Sequence, residues 1–344
     1  MRKGIMAGCM ALTLLLWACG RPAENKKESP NPRPALTPEV MLKTTPVKNQ
    51  GMSDLCWAYA MLATIETEHL MQGDSVNLSA DYAARMFLEQ QARQRFISRG
   101  QSPISLRGTA PMLLRLIHTY GLAPYDSYHA TDPLPNYRVI ARRLEQAADH
   151  ASSLQSLQRR LSDIMDQAVG FMPSQHVYML GAVYTPLEFA HSVCQSDEYI
   201  HLTSFTHHPF GQSFTLELPD NRMNDTYLNL PIDTLIGRVE SALRQGHAVC
   251  WEGDISDKGF SFKDGFARMD PTIKATQALR QRLFETHRTT DDHCMALVGI
   301  VRDAQGRKYY AAKNSWGVDN AFDGFVYMDE NYLRLNTIAV TLRR

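Results

Sequence analysis

The apolar pattern of this chain changes period part-way along, and that change limits the fold more than any other feature. In the first half, apolar residues recur at helical spacing: Trp57, Ala58, Met61, Leu62 and Ile65 make the stripe of a buried helix over 56–70. Ser79 stands as an N-cap before Tyr82, Met86 and Phe87, and 110–120 reads as a third helix stopped by Gly121. Leu154, Leu157, Leu161, Ile164 and Ala168 line one helix face inside an expected helical insertion over 137–173. Beyond it, Phe214 to Leu218 is strand-like and closes in the turn Pro219-Asp220-Asn221. One more helix is expected over 232–245, stopped by Gly246. Short apolar runs then take over at 248–251, 294–301, 309–314, 325–328 and 338–342. A mostly helical part followed by a β-rich part predicts an α+β chain.

Ahead of this lies a different kind of sequence. Arg2 and Lys3 precede an apolar run over 5–17, which reads as an export signal and is shorter than the ~18 residues a spanning helix needs. Leu16-Trp17-Ala18-Cys19-Gly20 resembles the bacterial lipoprotein box, in which Cys19 becomes the lipid-modified first residue of the mature chain. An ordinary secretory signal cleaved after Ala18 or Ala23 is the alternative, leaving a soluble secreted or periplasmic protein. Residues 21–38 are rich in Pro, Asn, Glu and Lys, too polar to order themselves by burial. The expected order is thus a signal peptide over 1–18 and a lipid-anchored tether over 19–43, with membrane contact in the cell envelope through the lipid.

Charge and cysteine usage narrow the partners. The 36 basic residues balance the 36 acidic ones, so there is no general electrostatic footprint for nucleic acid. Six cysteines without a C-x-x-C pair make neither a disulfide scaffold nor a structural zinc site. Neighbouring side chains at His207 and His208 are expected to point apart. Asp254, Asp257, Asp264 and Asp270 miss the ligand spacing of an EF-hand and read as a solvated loop. No metal or cofactor is expected, and Cys194, Cys250 and Cys294 are expected as buried free thiols.

Cys56 is different, because it follows a glycine-bearing turn (50–55) and begins a helix, where unpaired N–H groups favour a thiolate. A thiolate nucleophile needs an imidazole, and His293 at the start of an apolar strand can supply it. Asn314, at the end of the next strand, can orient that ring. Gln50 can set its amide beside the Cys56 backbone N–H as an oxyanion hole. Alternation along the strand is expected to turn Cys294 away from this group.

Gln50-Gly51, Cys56-Trp57-Ala58-Tyr59-Ala60, Asp292-His293 and Lys313-Asn314-Ser315-Trp316-Gly317 together resemble the papain-like cysteine peptidases, in the order Gln, Cys, His, Asn. That family's pattern has a further cysteine three positions before the nucleophile, where this chain has Ser53. The bleomycin hydrolase or aminopeptidase C branch, which lacks that cysteine, is the better match. Asn77-Leu78-Ser79, Thr206-His207-His208-Pro209-Phe210, Leu218-Pro219-Asp220-Asn221, Ala248 to Asp254 and Arg280 to Phe284 are similar to it as well. The resemblance implies a two-lobed papain-like fold, with a helical lobe over 44–230, a β-rich lobe over 231–344 and a cleft between them. It also implies that Cys56 is the nucleophile, His293 base then acid, Asn314 its orienting partner and Gln50 an oxyanion donor, with Trp316 shielding the His–Asn bond. Peptides or proteins are the expected substrates.

In that branch a C-terminal arm enters the cleft and restricts cleavage to free N-termini. Here 27 residues follow Gly317 and the arm looks missing, so the expectation is an endopeptidase. The alternatives are an aminopeptidase of the bleomycin hydrolase type, acyl transfer to an amine, or an envelope lipoprotein that binds peptides without cleaving them. For the anchor, full-length protein should partition into the detergent phase and Cys19→Ser should release or misprocess it. An unmodified mature N-terminus at Gly20 or Glu24 would remove the lipid assignment.

Overall fold

The computed structural model describes residues 35–130, 134–172, 176–179, 181–195 and 197–344; the signal-like segment and Cys19 lie outside them. The chain starts with β1 (Leu36–Met41), followed by α1 (Cys56–Gln72), α2 (Ala80–Ile97) and α3 (Ala110–Tyr120). The insertion is a helix pair, α4 (Tyr137–Asp149) and α5 (Leu154–Ala168), after which come a small hairpin of β2 (Val177–Met179) and β3 (Ala182–Tyr184), and α6 (Pro186–Val193). Next are β4 (Tyr199–Thr203), β5 (Ser213–Thr215), β6 (Thr226–Asn229), α7 (Ile232–Arg244), β7 (Val249–Gly253), β8 (Phe260–Ser261) and β9 (Phe266–Ala267). The remainder is α8 (Gln277–Glu285), β10 (His293–Asp303), β11 (Lys308–Lys313), β12 (Phe325–Asp329), α9 (Glu330–Asn336) and β13 (Thr337–Arg343).

Local signals set several of these ends. Ser79 accepts from the Tyr82 N–H and caps α2, Thr109 does the same for α3 through Met112, and Gly121 ends α3. Among the described residues, the strands outside the β2–β3 hairpin form an eleven-stranded sheet in the order β5-β6-β4-β13-β7-β10-β11-β12-β9-β8, with β1 on β10. Strand β10 is long enough to pair with β7 through His293 to Leu297 and with β1 through Gly299 to Asp303.

Two expected boundaries move. Residues 199–229 supply β4 to β6, and β4 covers the side of β13 opposite β7, so that stretch belongs to the sheet rather than to a helical lobe ending at 230. The expected tether also ends early, because residues 36–41 gain backbone hydrogen bonds along β10. Among the described residues no helix is long and apolar enough to cross a membrane.

Helix α1 joins the two cores. Trp57, Met61, Leu62 and Ile65 pack into the helical core, while Ala63 belongs to the core between the sheet and α7. Burial is not confined to a stripe, since Thr64, Glu66, Thr67 and Glu68 are buried too. Glu66 accepts hydrogen bonds from Lys48 Nζ, Thr45 Oγ1 and the Leu78 N–H, with Lys313 Nζ 3.9 Å away. Glu68 accepts from the Ala248 N–H (2.9 Å) and meets His247 and Arg343. Replacing Glu66 with Ala strips the partner from buried cations and a backbone N–H. It should destabilise the fold by about 3–5 kcal/mol, read from chemical denaturation.

Candidate active site

The turn ahead of α1 is built to deliver Cys56. Gly51 adopts φ +60°, the left-handed conformation that a residue without Cβ takes freely. Ser53 Oγ donates to the Gln50 carbonyl (2.7 Å), and Gln50 Nε2 donates to the Ser53 carbonyl (2.6 Å). Gln50 Oε1 accepts from Ser315 Oγ at 2.6 Å, so its amide is held from both sides. One amide hydrogen remains for the cavity that Gln50 lines together with Cys56. Leu55 offers no side-chain cap and the first turn of α1 holds no acid. The positive end of the helix is therefore not neutralised by its own residues. Next to it, Trp57 donates to the Leu106 carbonyl (2.8 Å) and meets Phe87 edge-on. Gly108 lets the facing loop close on this ring, since a Cβ there would lie 2.8 Å from it.

Strand β10 starts with His293, and β11 ends one residue before Asn314. Asn314 Oδ1 accepts from His293 Nε2 at 2.7 Å and from the Ser315 backbone N–H at 2.8 Å. A backbone N–H can only donate, so the shared atom is the amide oxygen and His293 carries its proton on Nε2. Nδ1 is left free for the thiol. The Trp316 ring covers His293 at 4.7 Å between centroids, with Phe260 and Phe262 edge-on behind it. His293 and Asn314 are only 3% and 2% exposed, so water is kept from their bond. All four residues picked out by the sequence come together.

One residue was misjudged. Cys294 is not turned away from the site: it lines the same cavity as Cys56 and His293, close enough for the two thiols to shift one another's protonation in opposite directions. Alternation does separate the side chains of His293 and Cys294, but α1 packs on β10 with Cys56 at its first residue, within reach of both. The Cys56 thiol is held well below the usual range, first by the Cys294 thiol and then by the His293 hydrogen bond and charge, against burial. Cys194 and Cys250 are free and buried, and burial pushes both thiols up, Cys194 to about 12.

Acids surround the cavity to a degree the sequence did not announce. Asp54, Asp220, Asp291 and Asp292 line it with Cys56 and His293, and Arg107 crosses it, donating to Asp220 (2.7 Å) and to the Asp291 carbonyl. Behind Asp291 stands Glu252, paired across the strands with Cys294. Burial raises the Glu252 carboxyl to about 8, and burial with the Glu252 charge raises Asp291. The pair holds a proton at neutral pH.

Away from the cleft, His207 and His208 converge instead of diverging: both Nε2 atoms meet Glu217, at 3.3 and 2.6 Å. The three ligand atoms lie within 4.8 Å of one another, close enough to suit a cation. Gln281 Oε1 accepts the Thr206 N–H, so its Nε2 donates to His207 Nδ1 and leaves His207 with N–H at Nε2. That hydrogen suits a carboxylate and opposes a metal. Asp254 is not in a solvated loop either; it is buried and accepts from the Ser256 and Thr290 N–H groups.

The lowered Cys56 thiol has a direct readout. Its thiolate persists below the pH at which an ordinary thiol, of pKa about 8.5, is protonated. Alkylation at Cys56 should therefore stay fast at pH 6. A rate that rises only above pH 8 would contradict the arrangement.

Residues 168–344 match the Peptidase C1-like family. Aminopeptidase W of Lactobacillus delbrueckii subsp. lactis is 24% identical over 364 residues, covering 89% of this chain and 82% of that protein. Aminopeptidase E of Lactobacillus helveticus is 22% identical, covering 85% and 79%. The mitochondrial cysteine proteinase 1 of Saccharomyces cerevisiae is 23% identical, covering 85% and 73%. The crystal structure of PepW from Lactobacillus rhamnosis HN001 superposes with a TM-score of 0.67 at 19% identity, covering 90% of this chain and 82% of that one. The fold is thus papain-like, and relatives named as aminopeptidases lend the endopeptidase expectation no support. With its family match over more than half its length, the chain belongs to the Peptidase C1-like family and is a papain-like cysteine peptidase.

Proposed function

We propose that Cys56 is the nucleophile of this peptidase and that it removes residues from the free amino end of peptides. The observation that carries the reading is the chain Cys56–His293–Asn314 opening into a cavity lined by four aspartates. The Cys56 thiolate attacks the scissile carbonyl, and the Cys56 N–H and Gln50 Nε2 receive the developing oxyanion. His293, protonated at Nδ1, passes that proton to the leaving amine and then draws one from the water that releases the acyl group. Asn314 keeps the ring in the tautomer this exchange needs. Asp54 and Asp220 are paired with Arg138 and Arg107, and burial pushes Asp291 toward its neutral form, which leaves the Asp292 carboxylate to meet the ammonium group of a free N-terminus, in agreement with the names of the relatives. The lipid-anchored, envelope location read from Leu16 to Gly20 belongs to the same proposal and rests on sequence alone.

Two comparisons test it. Cys56→Ala should lower peptide hydrolysis by roughly 10³-fold or more while the fold is retained. A free-amine peptide should be cleaved well and its acetylated twin poorly. Equal cleavage of both would replace amino-end removal with endopeptidase action and leave the nucleophile assignment standing.

A further inference from the structure

Cys294 is a thiol that peptide hydrolysis does not consume, yet it lines the cavity that holds the reacting sulfur. It is the second residue of β10, 2% exposed, and lines with Cys56 the same cavity. Cys56 is the more open of the two, so an oxidant entering the cleft meets it first. Cys250 lies farther along: it faces Ala296 across the strands, whereas Cys294 faces Glu252. From this shared cavity, with α1 packed on β10, we propose that Cys294 is the resolving thiol of a reversible Cys56–Cys294 disulfide, formed when a hydroperoxide oxidises Cys56. The inference rests on the reading of Cys56 as a reactive thiolate.

The chemistry balances in two steps. The Cys56 thiolate attacks a hydroperoxide and takes one oxygen as the O–O bond breaks, giving the sulfenic acid and, after protonation, an alcohol or water. The Cys294 sulfur then attacks the Cys56 sulfur. The S–S bond forms, the S–O bond breaks, and the departing hydroxide takes the Cys294 proton and leaves as water. The two sulfurs differ in the sense this needs. Cys56 is held as thiolate, while its charge and burial keep the Cys294 thiol protonated until the sulfenic acid has formed. The product silences the nucleophile without destroying it, because a further oxidation to the irreversible sulfinic acid requires a sulfenic acid that Cys294 has already consumed.

The test treats the full chain with hydrogen peroxide, maps its peptides without reduction, and follows activity before and after dithiothreitol. Wild type should lose activity, show a Cys56–Cys294 linked peptide short of two hydrogens, and recover most of its starting activity on reduction. Cys294→Ala should carry oxygen on Cys56 and recover little, whereas Cys250→Ala should behave as wild type. Wild-type Cys56 accumulating as sulfinic or sulfonic acid with no linked peptide would overturn the inference, and that reading needs no variant to fold. So would recovery of Cys294→Ala to the wild-type extent. Should the linked peptide form while Cys56→Ala keeps peptidase activity, the nucleophile reading fails and the disulfide stands. An inactive Cys56→Ala with no linked peptide sinks the disulfide alone.

Discussion

A carboxylate with no access to water sits in the middle of α1, and the cleft is assembled around it. Glu66 gathers Lys48 and Thr45 from the segment leading to Gln50, and the Leu78 N–H from the approach to α2. Through Thr45 it reaches Lys313, the residue before Asn314. Asn314 lies far along the sequence from Gln50 and Cys56, and Glu66 ties together the segments that present them. Burial pulls the Lys313 ammonium down to about 8, so the network is expensive to desolvate and is justified by geometry more than by stability. Glu68, half a turn on, applies the same device to β7 and β13. A helix buried on all sides cannot be positioned by an apolar stripe; these charged contacts give it one orientation.

Electrostatics within the cleft follow from the same economy of water. A thiolate at Cys56 surrounded by ionised acids would be destabilised by like charge, and the count of carboxylates suggests such a conflict. The structure avoids it by keeping a proton on the buried pair Glu252 and Asp291 and by setting Arg107 against Asp220. Removing that proton brings negative charge toward the sulfur, so the acids behind the cleft and the thiol in front of it titrate as one system.

What could be read from the chain alone was what short stretches decide for themselves. Ser79 caps α2, Gly121 ends α3 and the apolar runs of β10 to β13 lie where periodicity puts them, since each depends on a few neighbouring residues. The strand at 36–41 was hidden, because Pro38 interrupts it and its order comes from β10, more than 250 residues away. His207 and His208 were taken to diverge because Glu217 could not be placed beside them. Cys294 was assigned by alternation, which describes a strand but not the helix laid against it. Gln50, Cys56, His293 and Asn314 could each be nominated from a local position, but it was the resemblance to a family that gave grounds for placing them in one cavity, for no local rule brings His293 and Asn314 to Cys56.

The position of β13 bears on when this protein can exist as an enzyme. It is an interior strand, bonded on one side to β4 and on the other to β7, and its partners at 199–203 and 249–253 are synthesised far earlier. Until residue 343 is made, both partners present bare backbone edges, and half of the sheet has no middle. Pairing over such sequence distances is slow. The sheet is therefore complete only once β13 has been made and has found both partners. Strand β7, which pairs with His293 through Gly253, has β13 as its other neighbour, so the strand that flanks this histidine gains its second partner last.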